Sequence, residues 1–155
     1  MATQTYERLH TLIVPTQNHA LLIPSAMTAE VINVPTISRV PFSQPWVIGA
    51  AGWRRRAVSV VSWEMLLGAR EEPPIFNRSK LVVFHPLQGR NQWEFFAFLA
   101  SSDPQPHMVD NTGALTASAT SNVESPFIGA TTIIGKQEIV IPNMGEIART
   151  FYPSF

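Results

Sequence analysis

Apolar residues in this chain come in short runs, each closed within a few positions by turn-forming residues. In the first third these runs are His10–Val14, His19–Ile23 and Glu30–Val34, with Pro15, Pro24, Pro35, Pro41 and Pro45 beside or between them. Proline lacks an amide hydrogen and clashes with the preceding helical turn, so no long helix fits there. Strand-sized runs bounded by turn residues predict a small barrel or sandwich. Arg56–Trp63 is β-branched and partly alternating, which predicts another strand. Glu64–Gly68 then reads as one helical turn closed by glycine.

A polar interval, Ala69–Ser79, is the best internal boundary, and the strand pattern restarts after it. Lys80–His85 and Gln92–Leu99, separated by a turn at Gln88–Asn91, predict a hairpin. The stretch Ser101–Ser125 is rich in Ser, Thr, Asp, Asn and Pro and reads as a long loop or mobile flap. Phe127–Ile134 and Gln137–Ile141 flank a tight turn at Gly135-Lys136, and Asn143–Arg149 predicts a short helix capped by its asparagine. The expected organisation is all-β. One domain spans residues 1–155, with two successive strand sets at about 10–68 and 79–149, each ending in a turn of helix.

Eleven basic and eleven acidic residues give a net charge of +0, which does not favour a polyanionic partner. Charged residues make up only 14% of the chain, against roughly 25% in ordinary soluble domains. A surface so poor in charge points toward association. With no cysteine there is no disulfide, thiolate nucleophile or cysteine zinc site. The first residues hold no apolar core of signal-peptide length, and no run approaches the ~20 apolar residues of a membrane span. A cytoplasmic protein is therefore expected.

Catalytic motifs are missing from the sequence. His10, His19, His85 and His107 are not spaced to share a metal, and no G-x-S-x-G elbow or phosphate-binding glycine loop occurs. Neither an enzyme activity nor a cofactor is expected. Trp53-Arg54-Arg55-Arg56 is the unusual constellation, with three of the eleven basic residues beside a candidate exposed tryptophan. In an extended segment Arg54 and Arg56 would share one face and Arg55 the other. Tryptophan and arginine are enriched in binding hot spots, so the cluster is a candidate partner surface. A solvated turn and a single-stranded nucleic-acid platform are the competing readings.

The block Val40–Arg54 followed by Val58–Val61 resembles the CheW-like chemotaxis coupling-protein family. That family carries a proline, two apolar residues, a glycine and an Asn-(apolar)-Arg-Gly element before an apolar strand. Ile23–Val31, Phe127–Gly129 and the Ile133–Ile141 hairpin are similar to other segments of the same family, so the resemblance runs from Thr11 to Arg149. Gly52 stands at the family's asparagine and Arg55 at its glycine, while Ser59 and Ser62 replace its Pro and Asp. Divergence of this kind is similar to ChpC-like adaptors of pilus-associated chemosensory systems.

The resemblance implies two small five-stranded SH3-like barrels packed together. It also implies a non-catalytic adaptor that joins the cytoplasmic tip of a chemoreceptor to the regulatory domain of a histidine kinase. Such an adaptor works in the cytoplasm beside membrane receptor arrays, without inserting into the membrane. Gly49 and Arg54 match positions implicated in receptor and array contact. Thr28, Glu30 and Val31 match the segment near the kinase-docking face. Gly49 also fits a site of close approach, to a partner backbone or to a neighbouring strand. Thr28 and Val31 equally fit ordinary strand positions. The expected partner-binding set is thus Thr28, Glu30, Val31, Gly49, Trp53, Arg54, Arg55 and Arg56.

Overall fold

The computed structural model describes residues 8–87, 94–110, 116–117 and 125–151. Strands β1 (Arg8–Pro15) and β2 (Ala20–Pro24) lead through a 3₁₀ turn at Ser25–Met27 into β3 (Thr28–Asn33) and β4 (Ile37–Ser38). Next come β5 (Val47–Trp53), β6 (Arg56–Val61) and helix α1 (Trp63–Leu66). The chain continues with β7 (Lys80–Phe84), β8 (Phe96–Ala100), β9 (Gln105–Asp110) and β10 (Thr116–Ala117). It closes with β11 (Ile128–Ile134), β12 (Gln137–Pro142) and helix α2 (Met144–Phe151).

The fold is all-β, with two sheets ordered β10-β11-β12-β2-β1-β9 and β3-β7-β8-β6-β5-β4. Among the described residues each sheet has five strands of five residues or more and one of two residues, β10 or β4. The second sheet curls on itself. Its edge strands β3 and β4 are joined by three residues only, and Trp53 of β5 reaches across to Glu30 of β3. This curl makes the sheet a small SH3-like barrel.

Three apolar clusters follow from strand alternation. Leu81 and Val83, with Ala97 and Leu99, point into the second sheet's own interior beside Ile48, Ala51, Trp53, Val58 and Val60. Their neighbours Val82, Phe84, Phe96 and Phe98 point the other way, toward Val14, Leu21, Ile23, Trp63, Val140 and Ile147 between the two sheets. Ala20, Leu22 and Ile139 form the smaller interior of the first sheet. Because β7 and β8 are buried on both faces, their sequences read as continuous apolar runs rather than alternating ones.

Strand pairing crosses the expected boundary between 10–68 and 79–149. β7 and β8 sit in the middle of their sheet, flanked by β3 and β6, while β1 and β2 pair with β9 and β12. The polar interval marks a crossing between strands and does not separate two independent strand sets. A strand apolar on both sides needs partners on both edges, and the partners available are from the first part of the chain.

The stretch Ser101–Ser125 is also corrected, since Gln105–Asp110 forms β9 in antiparallel register with β1. Its Pro106 is tolerated because β9 is an edge strand, where a missing amide donor costs nothing in the ladder. Residues 111–115 and 118–124 of that stretch, and the expected turn at Gln88–Asn91, lie outside the described residues.

Local signals at helix ends are realised. The Ser62 side chain accepts from the Met65 amide, which starts α1 at Trp63, one position earlier than the sequence suggests. Gly68, at φ 111°, ends it, with its N–H bonded to the Met65 carbonyl and the Ala69 N–H to the Glu64 carbonyl. Asn143 caps α2 through Oδ1, which accepts from the Glu146 amide at 3.2 Å. Between β4 and β5, Val40–Ser43 forms a type II turn closed by a 3.4 Å bond from the Ser43 N–H to the Val40 carbonyl. Phe42 occupies the third position at φ 60°, where glycine is usual, and its side chain is fully exposed.

Candidate functional site

The site is built on the β5–β6 hairpin. Trp53 pairs with Arg56, which leaves Arg54-Arg55 as a two-residue turn. Their φ values, 47° and 62°, are both positive, the signature of a type I′ turn. Such turns favour Asn-Gly, and a left-handed non-glycine residue costs about 1–2 kcal/mol. The extended alternation expected for Arg54, Arg55 and Arg56 does not hold, because the first two form the turn itself.

Trp53 is buried, at 7% exposure, so it is not the exposed anchor expected from the sequence. Alternation along β5 sends Ala51 and Trp53 inward and leaves Gly52 outside. The indole N–H donates to Glu30 Oε2 at 2.7 Å, and the same oxygen receives Arg54 Nη2 at 3.1 Å. One carboxylate on β3 therefore ties the last strand residue before the turn and the first residue of the turn. The ion pair is largely exposed (64% and 39% for the two side chains), so its own contribution is about 0–1 kcal/mol.

Stacking adds a second level of order. The Arg54 guanidinium lies 4.8 Å from the Trp53 ring, and that of Arg56 lies 4.9 Å from Phe95. Trp53 and Phe95 meet at 5.1 Å between centroids, and His85 flanks Phe95 at 6.0 Å. A guanidinium held face-on to a ring keeps its N–H edge available for carboxylates. Arg55, at the apex, makes no ion pair among the described residues.

Glu30, Trp53 and Arg54 are thus in direct contact, and Arg56 joins them through Phe95. Val31 follows Glu30 on β3 and is 37% exposed, open to a partner. Thr28 is half-buried at a register shift opposite Phe84, and its Oγ1 is buried without a hydrogen-bond partner among the described residues. Gly49 is buried. A Cβ there would lie 2.4 Å from the Ser38 carbonyl oxygen and 2.7 Å from Ile37 Cγ2, so its close approach is to the neighbouring strand β4. Among the described residues no side-chain bond ties Thr28 or Gly49 to the arginine cluster. Phe95 and His85, which are not in the expected partner-binding set, complete the stacked layer. The aromatic run Trp93–Phe96 hinted at the first, but the β5–β6 hairpin it packs on is distant in sequence.

The site lacks the features of a nucleic-acid platform. The rings of Trp53 and Phe95 are stacked against the protein's own arginines, which leaves those faces closed to bases. Elsewhere among the described residues Arg39 pairs with Glu72, Lys80 with Asp103 and Arg149 with Glu146, so these cations do not add to the charge at the hairpin. Among the described residues no group of three or more His, Asp or Glu could hold a metal ion, and no helix is long and apolar enough to cross a membrane.

A family model described as "CheW-like domain" matches residues 10–150. No curated protein sequence matches the chain. The crystal structure of the scaffolding protein TtCheW from Thermoanaerobacter tengcongensis superposes with a TM-score of 0.73 at 10% identity, covering 93% of this chain and 90% of that one. At that identity the likeness is one of fold.

Proposed function

The chain belongs to the CheW-like domain family, and on that premise we propose that it couples chemoreceptors to a histidine kinase as a chemotaxis-type adaptor. Proteins of this family are non-catalytic scaffolds. The adaptor contacts the cytoplasmic tip of a receptor and the regulatory domain of the kinase, and it works in the cytoplasm at membrane receptor arrays. Its departures at Gly52, Arg55, Ser59 and Ser62 favour a pilus-associated system of the ChpC-like kind. The whole of 10–149 acts as one unit, since strands from both parts of the chain share each sheet.

The reading is supported most by one observation. The family's arginine, Arg54, is presented outward from a hairpin turn, ion-paired to Glu30 beside the exposed Val31. Such an arrangement gives a partner a fixed guanidinium, with the apolar Val31 one strand position from the carboxylate that holds it. Pull-down against a receptor-tip fragment and a kinase regulatory-domain fragment tests it. Because Trp53 is buried, its removal tests the fold, so the informative change is Arg54→Ala combined with Val31→Ala. Loss of a central anchor costs about 2 kcal/mol, which is roughly 30-fold in affinity. Undiminished binding of both fragments by the double variant would remove the site, and failure of the wild-type chain to bind either fragment would remove the function.

A further inference from the structure

We propose that the Arg54-Arg55-Arg56 hairpin tip recognises a carboxylate-bearing face of a partner protein, with Arg55 and Arg56 setting the preference for acidic partners. This rests on reading the same surface as the partner site, and it adds the chemistry of what the surface takes. Arg54 and Arg56 are each fixed by an aromatic ring, at 4.8 and 4.9 Å, so their donor edges are ordered before any partner arrives. Arg54 gives one contact to Glu30, while Arg55 and Arg56 make no ion pair among the described residues. Five N–H donors in a planar fork match a carboxylate two bonds at a time.

The backbone supplies an independent argument. Arg54 and Arg55 both sit at positive φ, in a turn that Asn-Gly would form without strain. Among the described residues Arg55 makes no ion pair or ring contact that offsets this strain. Strain of this kind, kept where glycine would remove it, marks a residue used outside the molecule.

Phosphate also fits a guanidinium fork, but three observations favour carboxylates. The ring faces that bases would need are covered by Arg54 and Arg56. Glu30 places a negative charge at the centre of the cluster, which opposes a doubly charged phosphate more than a singly charged carboxylate. The chain's net charge of +0 provides no long-range attraction for a polyanion. A convex hairpin tip, moreover, encloses no small anion, so an extended protein face is the fitting occupant.

The test measures fluorescence anisotropy of three labelled probes against the full chain: a helical peptide with a stripe of glutamates, its glutamine counterpart, and single-stranded oligothymidylate. Wild-type protein is expected to bind the glutamate peptide at least about tenfold more tightly than the other two, and less tightly as salt is raised. Arg55→Gly is expected to weaken glutamate-peptide binding several-fold while raising the thermal unfolding midpoint by about 2–4 °C, as turn strain is relieved. Arg56→Gln weakens the same binding with the Arg54–Glu30 pair left in place. A purely structural role for Arg55 would move the midpoint alone. Equal binding of the two peptides, equal or tighter binding of oligothymidylate, or unchanged peptide binding by Arg55→Gly would each overturn the proposal. If receptor and kinase fragments bind the wild-type chain and its Arg55→Gly and Arg56→Gln variants equally well, only this inference falls. If neither fragment binds the wild-type chain, it is the adaptor function that falls.

Discussion

Replacing Gly49 by alanine separates the two roles that the residue's position allows. The added methyl would sit 2.4 Å from the Ser38 carbonyl oxygen, whereas ordinary contact begins at 3.4 Å, so strand and methyl must part by about 1 Å. The obstacle is backbone on one side and Ile37 Cγ2 at 2.7 Å on the other, and neither can rotate away freely. β4 is a two-residue edge strand held by Ile37↔Ala51 and Ser38↔Ala50, so the easiest response is for it to lift off β5. That loosens Ile37, which packs on the interior cluster of this barrel. Overpacking of this kind costs about 1–3 kcal/mol. For a chain of this size the midpoint should fall by roughly 4–8 °C at 2 kcal/mol. Urea denaturation followed by tryptophan fluorescence gives the free energy directly. A variant as stable as wild type, within about 0.5 kcal/mol, that nevertheless loses partner binding would refute the packing argument and assign Gly49 to the interface.

Phe42→Gly should stabilise the fold by about 1 kcal/mol, since a fully exposed phenylalanine at φ 60° contributes strain and no internal contact; the urea midpoint checks this. His19→Ala removes the Nδ1 that accepts from the Trp63 indole N–H at 3.1 Å and leaves a donor on a fully buried ring, at a cost of about 1–3 kcal/mol. His19→Asn, which keeps an acceptor on a shorter side chain, should recover part of that loss, and nitrogen NMR of the wild type should find His19 as the Nε2–H tautomer. Asn143→Ala should lower stability by about 1 kcal/mol and increase amide exchange in the first turn of α2.

The features legible in the sequence are those decided locally. Gly68 and Asn143 terminate helices through bonds within a few residues of themselves, and Gly135 turns β11 into β12 at φ 64°. The apolar runs located most strands within one or two positions. Pairing was another matter, because a period of two tells which faces of a strand are buried and says nothing of its neighbour. β9 escaped notice because an edge strand needs neither an apolar run nor freedom from proline, and Gln105-Pro106-His107 has neither. Trp53 looked exposed beside three arginines, yet the inward phase shared with Ala51 was already present in Ala50-Ala51-Gly52-Trp53. The arginine cluster was visible as charge. Its stacking on Phe95 depends on a contact across about forty residues, which no local pattern carries.

The exchange of strands between the two sheets bears on how the molecule is made. Among the described residues, β2 finds one of its neighbours only in β12, near the far end of the chain, and β3 finds its one neighbour in β7. A nascent chain emerging from the ribosome therefore holds several unsatisfied strand edges until almost all of it has been synthesised, and pairing at such long range makes for slow folding. A protease cut between residues 69 and 79 would release no autonomous half. Each fragment would carry the complement of the other's open edges, so the two pieces expressed together should reassemble, and either piece expressed alone should aggregate.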